Sequence, residues 1–239
     1  MAKEQLNNPL ALTSVGTKML IAVTGIALVL FVLAHMIGNL QVFAGRDSLN
    51  AYATKLKSLG PLLWVARIAL VCIFSLHVGL TLKLSRSNHR ARGAAVSESP
   101  LAGLLGERYI NQYHYKAATT SARFMILSGL LILLFIAYHL AHFTFHQIGD
   151  LPNTGVNGEI DVYEMVVQGF QNTWISVSYI LFQLVLGLHI YHGFSSAIQT
   201  LGLRLGSAKA AIGVCGPALA ALITCGNVSI PLAVWVGFI

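Results

Sequence analysis

Four of the chain's nine histidines stand out, one in each of four long apolar runs, where an imidazole is costly and usually has a task. Thr24-Gly25, nine further residues and His35 recur as Ser128-Gly129, nine further residues and His139. Each copy carries Leu-Phe five and four residues before its histidine, as Leu30-Phe31 and Leu134-Phe135. The other two are His77, in Ser75-Leu76-His77-Val78, and His189, in Gly187-Leu188-His189-Ile190. Four imidazoles on four helices suffice to grip two metals, with two ligands each. The plainer alternative for any one of them is a packed polar residue.

The elements that must position them are membrane helices. Of 239 residues, 56% are hydrophobic and 10% charged, with a mean hydropathy of +0.71; soluble domains carry about 25% charged residues. The net charge of +7 does not read as a nucleic-acid footprint, because the basic residues cluster between apolar runs. It suits a positive membrane face, acidic lipid or an acidic partner. Cys72, Cys215 and Cys225 form no C-x-x-C pair and read as small buried residues, with no zinc or iron–sulfur framework. The first apolar run follows Lys18 and is too long for a signal peptide core, so it reads as a retained span.

Five stretches are long enough to span: 18–43, 61–84, 123–145, 173–198 and 210–235. Backbone groups in lipid must be satisfied within the segment, so these are helices. The expected architecture is all-α: a single polytopic membrane domain over residues 1–239, five transmembrane helices in an up-down bundle. Met1–Leu12 is polar and is expected along the surface. Pro61 suits the first turn of span two, and Asn153-Thr154-Gly155 and Asn157-Gly158 mark turns. Span five is rich in Gly and Ala, contains Pro217, and is expected to pack closely beside the histidine-bearing helices.

One side of the chain carries eleven Lys and Arg: Lys3, Lys18, Lys83, Arg86, Arg90, Arg92, Arg108, Lys116, Arg123, Arg204 and Lys209. The other carries four (Arg46, Lys55, Lys57 and Arg67), plus Asp150, Glu159, Asp161 and Glu164. The positive-inside rule makes the N-terminus cytoplasmic and the C-terminus periplasmic. Spans one and three then run outward, two and four inward. At 1.5 Å per residue, His35 lies about 24 Å from the inner boundary, and His77 about 21 Å from the outer one. In a core about 30 Å thick, His35 and His139 share an outer level, His77 and His189 an inner one, about 15 Å apart.

Two neutral imidazoles without a thiolate or carboxylate are too few for zinc, which takes four ligands. They fit a six-coordinate haem, whose porphyrin supplies the other four nitrogens. No C-x-x-C-H motif is present, so the haems would be non-covalent, b-type. With both axial positions filled by protein, such haems move electrons. Gly25 and Gly129, ten residues before their histidines, would let the porphyrin or a neighbouring helix approach, or serve ordinary helix packing. On periodicity alone His142 or His146 can replace His139, and His192 can replace His189; the shared spacing favours His139. His142 and His192 otherwise read as groups near propionates or quinone, or as packed polar residues. His89 and His114 read as solvated or at a subunit contact. Lys18 and Arg123 read as interfacial anchors, with pairing to an inner haem propionate the sharper alternative.

These residues resemble the di-haem cytochrome b membrane anchor of succinate dehydrogenase/fumarate reductase (complex II), the type with one five-helix subunit. The carriers are His35-Met36-Ile37-Gly38-Asn39, His77 followed by Gly79, Tyr138-His139-Leu140, and His189-x3-Gly193 with Leu201-Gly202. The His-x3-Gly spacing favours His189 over His192. The resemblance covers most of the chain and implies two haem b groups, the outer on His35 and His139, the inner on His77 and His189. It implies a flavoprotein and an iron–sulfur subunit docked on the cytoplasmic face of a bacterial cytoplasmic membrane, with the basic segment 83–123 as docking surface. Electrons would pass between the iron–sulfur subunit and a membrane quinone, menaquinone by resemblance; dicarboxylate chemistry belongs to the flavoprotein. Membrane lipid is the surrounding partner, and a higher oligomer is compatible. One departure stands out: some fumarate reductases of this type carry glutamate two residues before the fourth histidine, and here that position is Gly187. No span has an interior Asp or Glu, so a proton path of that design is not expected. The acidic outer loop remains a candidate route for protons to a quinone near the outer haem.

Two other classes share some of these features. The cytochrome b subunit of a formate dehydrogenase, hydrogenase or nitrate reductase also uses buried histidine pairs, but the Gly-x9-His echo and five spans argue against it. A proton-coupled transporter with titrating histidines predicts membrane acids and inverted repeats. Here the echo joins spans of the same direction.

Overall fold

The computed structural model describes residues 13–91, 124–149, 151–152, 161–203 and 208–239, and all its regular elements are helical. They are α1 (Ser14–Asn39), a 3₁₀ turn (Leu40–Ala44), α2 (Arg46–Ser58), α3 (Pro61–Ala91), α4 (Met125–Phe143), α5 (Val162–Gln171), α6 (Thr173–Thr200) and α7 (Ala208–Trp235). Five helices, α1, α3, α4, α6 and α7, are long and apolar enough to cross a membrane. The surface segment expected at Met1–Leu12, the turns at 153–158, and Arg92, Arg108, His114, Lys116, Arg123, Asp150, Glu159 and Arg204 lie outside the described residues.

Helix boundaries follow local chemistry. Thr13 caps α1, its hydroxyl accepting from the Gly16 amide at 3.1 Å, so the helix begins four residues before Lys18. Lys18 is exposed on its first turns. Pro61 opens α3 as its fixed φ predicts. Asn172 caps α6 by accepting from the Trp174 and Ile175 amides. Gly202, at φ +73°, ends it in the left-handed conformation that glycine adopts without strain.

Around the bundle, α1 packs on α3 and on α6, α4 packs on α6, and α3 touches α4 more lightly. The four histidine-bearing helices thus form a ring, with α1 diagonal to α4 and α3 diagonal to α6. α7 lies outside this ring against α6 and α1. Its small residues face neighbours closely, as expected: Gly226 meets Met36, and Gly216 comes within van der Waals distance of Phe194 and Ser195. The cysteines do not follow expectation. Cys72, Cys215 and Cys225 are all exposed on the chain's outer surface. In a membrane helix the outward face is as apolar as the inward one, so an apolar run does not reveal which way a small residue points.

One end of the bundle is covered by α2 and α5, two short helices in the connections between spans. Arg46 pairs with both Asp161 and Glu164. Asn50 donates to Asp161 at 3.0 Å and accepts from the Tyr163 amide at 3.0 Å. Asp161 also caps α5 by accepting from the Glu164 amide. Burial disfavours its charge, but these donors and Arg46 outweigh that and hold its pKa below the usual carboxylate value. A depressed carboxylate stabilises above its unfolded pKa, about 3.9, and loses that contribution as pH falls through its folded value. Asp161→Asn, which keeps a capping oxygen, is therefore expected to lower the thermal midpoint at neutral pH, with the difference vanishing in acid. Asp161→Ala should cost about 1 kcal/mol more, the usual worth of an N-cap. Thermal unfolding of the detergent-solubilised protein across pH checks both.

Candidate functional site: two imidazole pairs on diagonal helices

The outer pair meets across the ring. The His35 ring on α1 and the His139 ring on α4 have centroids 5.9 Å apart at an interplanar angle of 87°. Two imidazoles bound to one iron by bonds of about 2 Å would place their centres about 6 Å apart. Each has its phenylalanine one turn earlier: Phe31 stacks on His35 at 5.5 Å, and Phe135 lies 5.9 Å from His139. This is the i, i+4 neighbourhood of a helix face, and it explains the Leu-Phe part of the echo.

The Thr/Ser-Gly part serves the inner histidines instead. His77 on α3 puts its Nδ1 3.1 Å from Thr24 Oγ1 on α1. His189 on α6 puts its Nδ1 2.9 Å from Ser128 Oγ on α4. A Cβ added to Gly25 would stand 3.1 Å from His77 Cε1, and one added to Gly129 3.4 Å from His189 Cε1. Of the two uses expected for these glycines, the contact shown is approach by a neighbouring helix, made by its imidazole. Each copy of the repeat therefore carries one outer histidine and the seat for an inner one from the next spanning helix. Thr24 and Ser128 each precede their outer histidine by eleven residues, which sets the two levels about 16 Å apart along the helix.

The hydroxyls also bear on the inner tautomers. Thr24 Oγ1 lies 2.7 Å from the Leu20 carbonyl and 3.1 Å from that of Ile21, and Ser128 Oγ lies 3.0 Å from the Met125 carbonyl. A hydroxyl has one proton, and these carbonyls can only accept. With the proton given to the backbone, each oxygen would accept from Nδ1–H, which would leave the Nε2 lone pair of His77 and His189 as the metal-binding position. In the outer pair, Asn39 Nδ2 lies 3.1 Å from His35 Nε2 and donates to the lone pair an iron would take.

His139 and His142, alternatives by periodicity, separate in space. His142 is fully buried, its Nδ1 2.9 Å from the Tyr179 hydroxyl and its ring 4.1 Å from that of Phe143. Its Nε2 has no hydrogen-bond partner among the described residues. His146 lies beyond the end of α4 at φ 51°, its Nε2 3.2 Å from Met165 Sδ on α5, so the i+7 relation to His139 does not survive. The nitrogen beside Ser128 belongs to His189; His192 is half-buried within electrostatic reach of it, as is His77. Of the four paired histidines, His35 is exposed on the chain's own surface and the other three are half-buried.

The remaining motif residues pack the same bundle. Met36 is buried against Gly226 of α7, and Gly38 is crossed by the Tyr52 ring of α2. Gly187 is buried with Thr224 of α7 directly over it, so a longer side chain has no space there. Among the described residues no three His, Cys, Asp or Glu side chains gather as a metal-binding group. The His35–His139 pair offers two imidazoles, the number of ligands a porphyrin-bound iron would take from protein. Compared with known families, curated proteins and solved structures, the chain has no match.

Proposed function

We propose that the chain is the membrane cytochrome b subunit of a succinate:quinone oxidoreductase (complex II), a bis-histidine holder of two b haems. The observation that carries the haem reading is the paired geometry: facing imidazoles on diagonal helices at one level, and Nδ1-capped imidazoles on the other two at the second. Haem b held this way takes up and gives up single electrons without an open iron site. His35 and His139 would hold the outer group, His77 and His189 the inner. The eleven-residue offset within each repeat would set the two groups at separate depths, a spacing suited to moving electrons along the membrane normal.

Complex II itself rests on the resemblance of the motif set. In that reading the subunit sits in a bacterial cytoplasmic membrane and anchors the flavoprotein and iron–sulfur subunits on the side of the basic segments. It passes electrons to or from menaquinone or another quinone. Purification of the native complex tests this. The expected result is co-purification of a flavoprotein and an iron–sulfur protein, with succinate:quinone or quinol:fumarate activity. Partners of formate dehydrogenase, hydrogenase or nitrate reductase type, with neither activity, would overturn it.

A further inference from the structure

We infer that Thr24 and Ser128 are positioning residues for the inner pair, holding the His77 and His189 imidazoles in the tautomer that offers Nε2 to iron and tuning that iron's potential. The inference rests on the haem reading above. It also assigns something that reading does not need: residues on the helices that carry the outer ligands govern the inner site.

Three observations converge. The hydroxyls lie 3.1 and 2.9 Å from the two Nδ1 atoms. Each hydroxyl also has a helix carbonyl in reach to take its proton, Leu20 or Ile21 for Thr24 and Met125 for Ser128, which suits it to accept from Nδ1–H. The adjacent Gly25 and Gly129 leave the approach to His77 and His189 open, each at the same place in the repeat. The outer pair is built differently: His35 meets an amide through Nε2, and the Tyr179 hydroxyl stands 3.5 Å from His139 Nδ1 but 2.9 Å from that of His142. A ring N–H that donates makes its imidazole a more basic ligand, which favours the oxidised metal. An inner iron with two such ligands would be held toward the ferric state.

Thr24→Val keeps the shape of the side chain and removes the acceptor; Ser128→Ala does the same on the other side. Each is expected to shift the inner haem's ferric/ferrous equilibrium about tenfold toward ferrous, about 59 mV upward for one electron. The outer haem's potential should stay in place. Thr24→Ser and Ser128→Thr retain the hydroxyl and should restore the parent value. Potentiometric titration of the purified native complex, followed optically and by electron paramagnetic resonance, reads both sites. Haem content and helicity serve as controls for folding. Unchanged potentials in both variants, or a shift confined to the outer haem, would overturn the inference and leave the haem reading standing. A shift of the same size in the hydroxyl-retaining variants would reduce the effect to packing and overturn it likewise. A parent protein without haem would overturn both readings.

Discussion

Replacing His77 or His189 with leucine is expected to halve the haem content and remove the same spectral component in either case. The two residues are 112 positions apart in the chain and lie on helices that face each other across the ring. Only a shared ligand makes their loss equivalent. Leucine suits the apolar span and leaves no polar atom behind, so the helices should still insert. An iron left with one protein ligand would be five-coordinate, or lost altogether, and either outcome differs from the parent spectrum. Redox-difference spectra of each variant check this. Distinct phenotypes for the two variants would separate the residues and break the inner pair.

The outer level gives the second large effect, and there the discrimination lies between neighbours on one helix. His35→Leu and His139→Leu are each expected to abolish the outer haem signal while sparing the inner. His142→Leu should retain both signals. His142 is fully enclosed by Tyr179, Phe143 and Phe170, with its Nδ1 engaged by the Tyr179 hydroxyl. Its replacement should appear as lost stability, about 1–3 kcal/mol for the stranded hydroxyl, and not as lost pigment. The opposite pattern, with haem lost from His142→Leu and kept in His139→Leu, would reassign the ligand.

The five spanning helices were legible because hydrocarbon demands long apolar runs whatever the packing, and Pro61 marks a start by its own geometry. The two capping helices were missed although they left marks. α2 carries Leu49, Tyr52 and Leu56 at helical spacing, with Asp47 in its first turn and Lys55 and Lys57 in its last. α5 begins with Asp161 three residues before Glu164, a capping pattern, and continues with Val166, Val167 and Phe170 on one side. Both signals are short and lie among polar residues, where a reading tuned to membrane spans sees loop.

The histidine echo was visible, but only half its meaning. Spacing marks residues of one helix that share a face, and so finds Phe31 with His35. It cannot show that Thr24 meets His77, or Ser128 meets His189, across separations of 53 and 61 residues. A hydroxyl bonded to its own helix carbonyl looks the same in sequence whether or not a partner accepts its attention. The burial of His142 and the outward turn of the cysteines are likewise settled by neighbouring helices.

In the proposed cytochrome, two imidazole pairs would each close the coordination of one haem iron. Haem stoichiometry with low-temperature electron paramagnetic resonance, on the purified protein before and after carbon monoxide, measures this most directly. Two b-type haems per chain, both low-spin with bis-imidazole signals and both indifferent to carbon monoxide, are expected. A chain that binds no haem, or one whose iron takes up carbon monoxide in the parent protein, would contradict it.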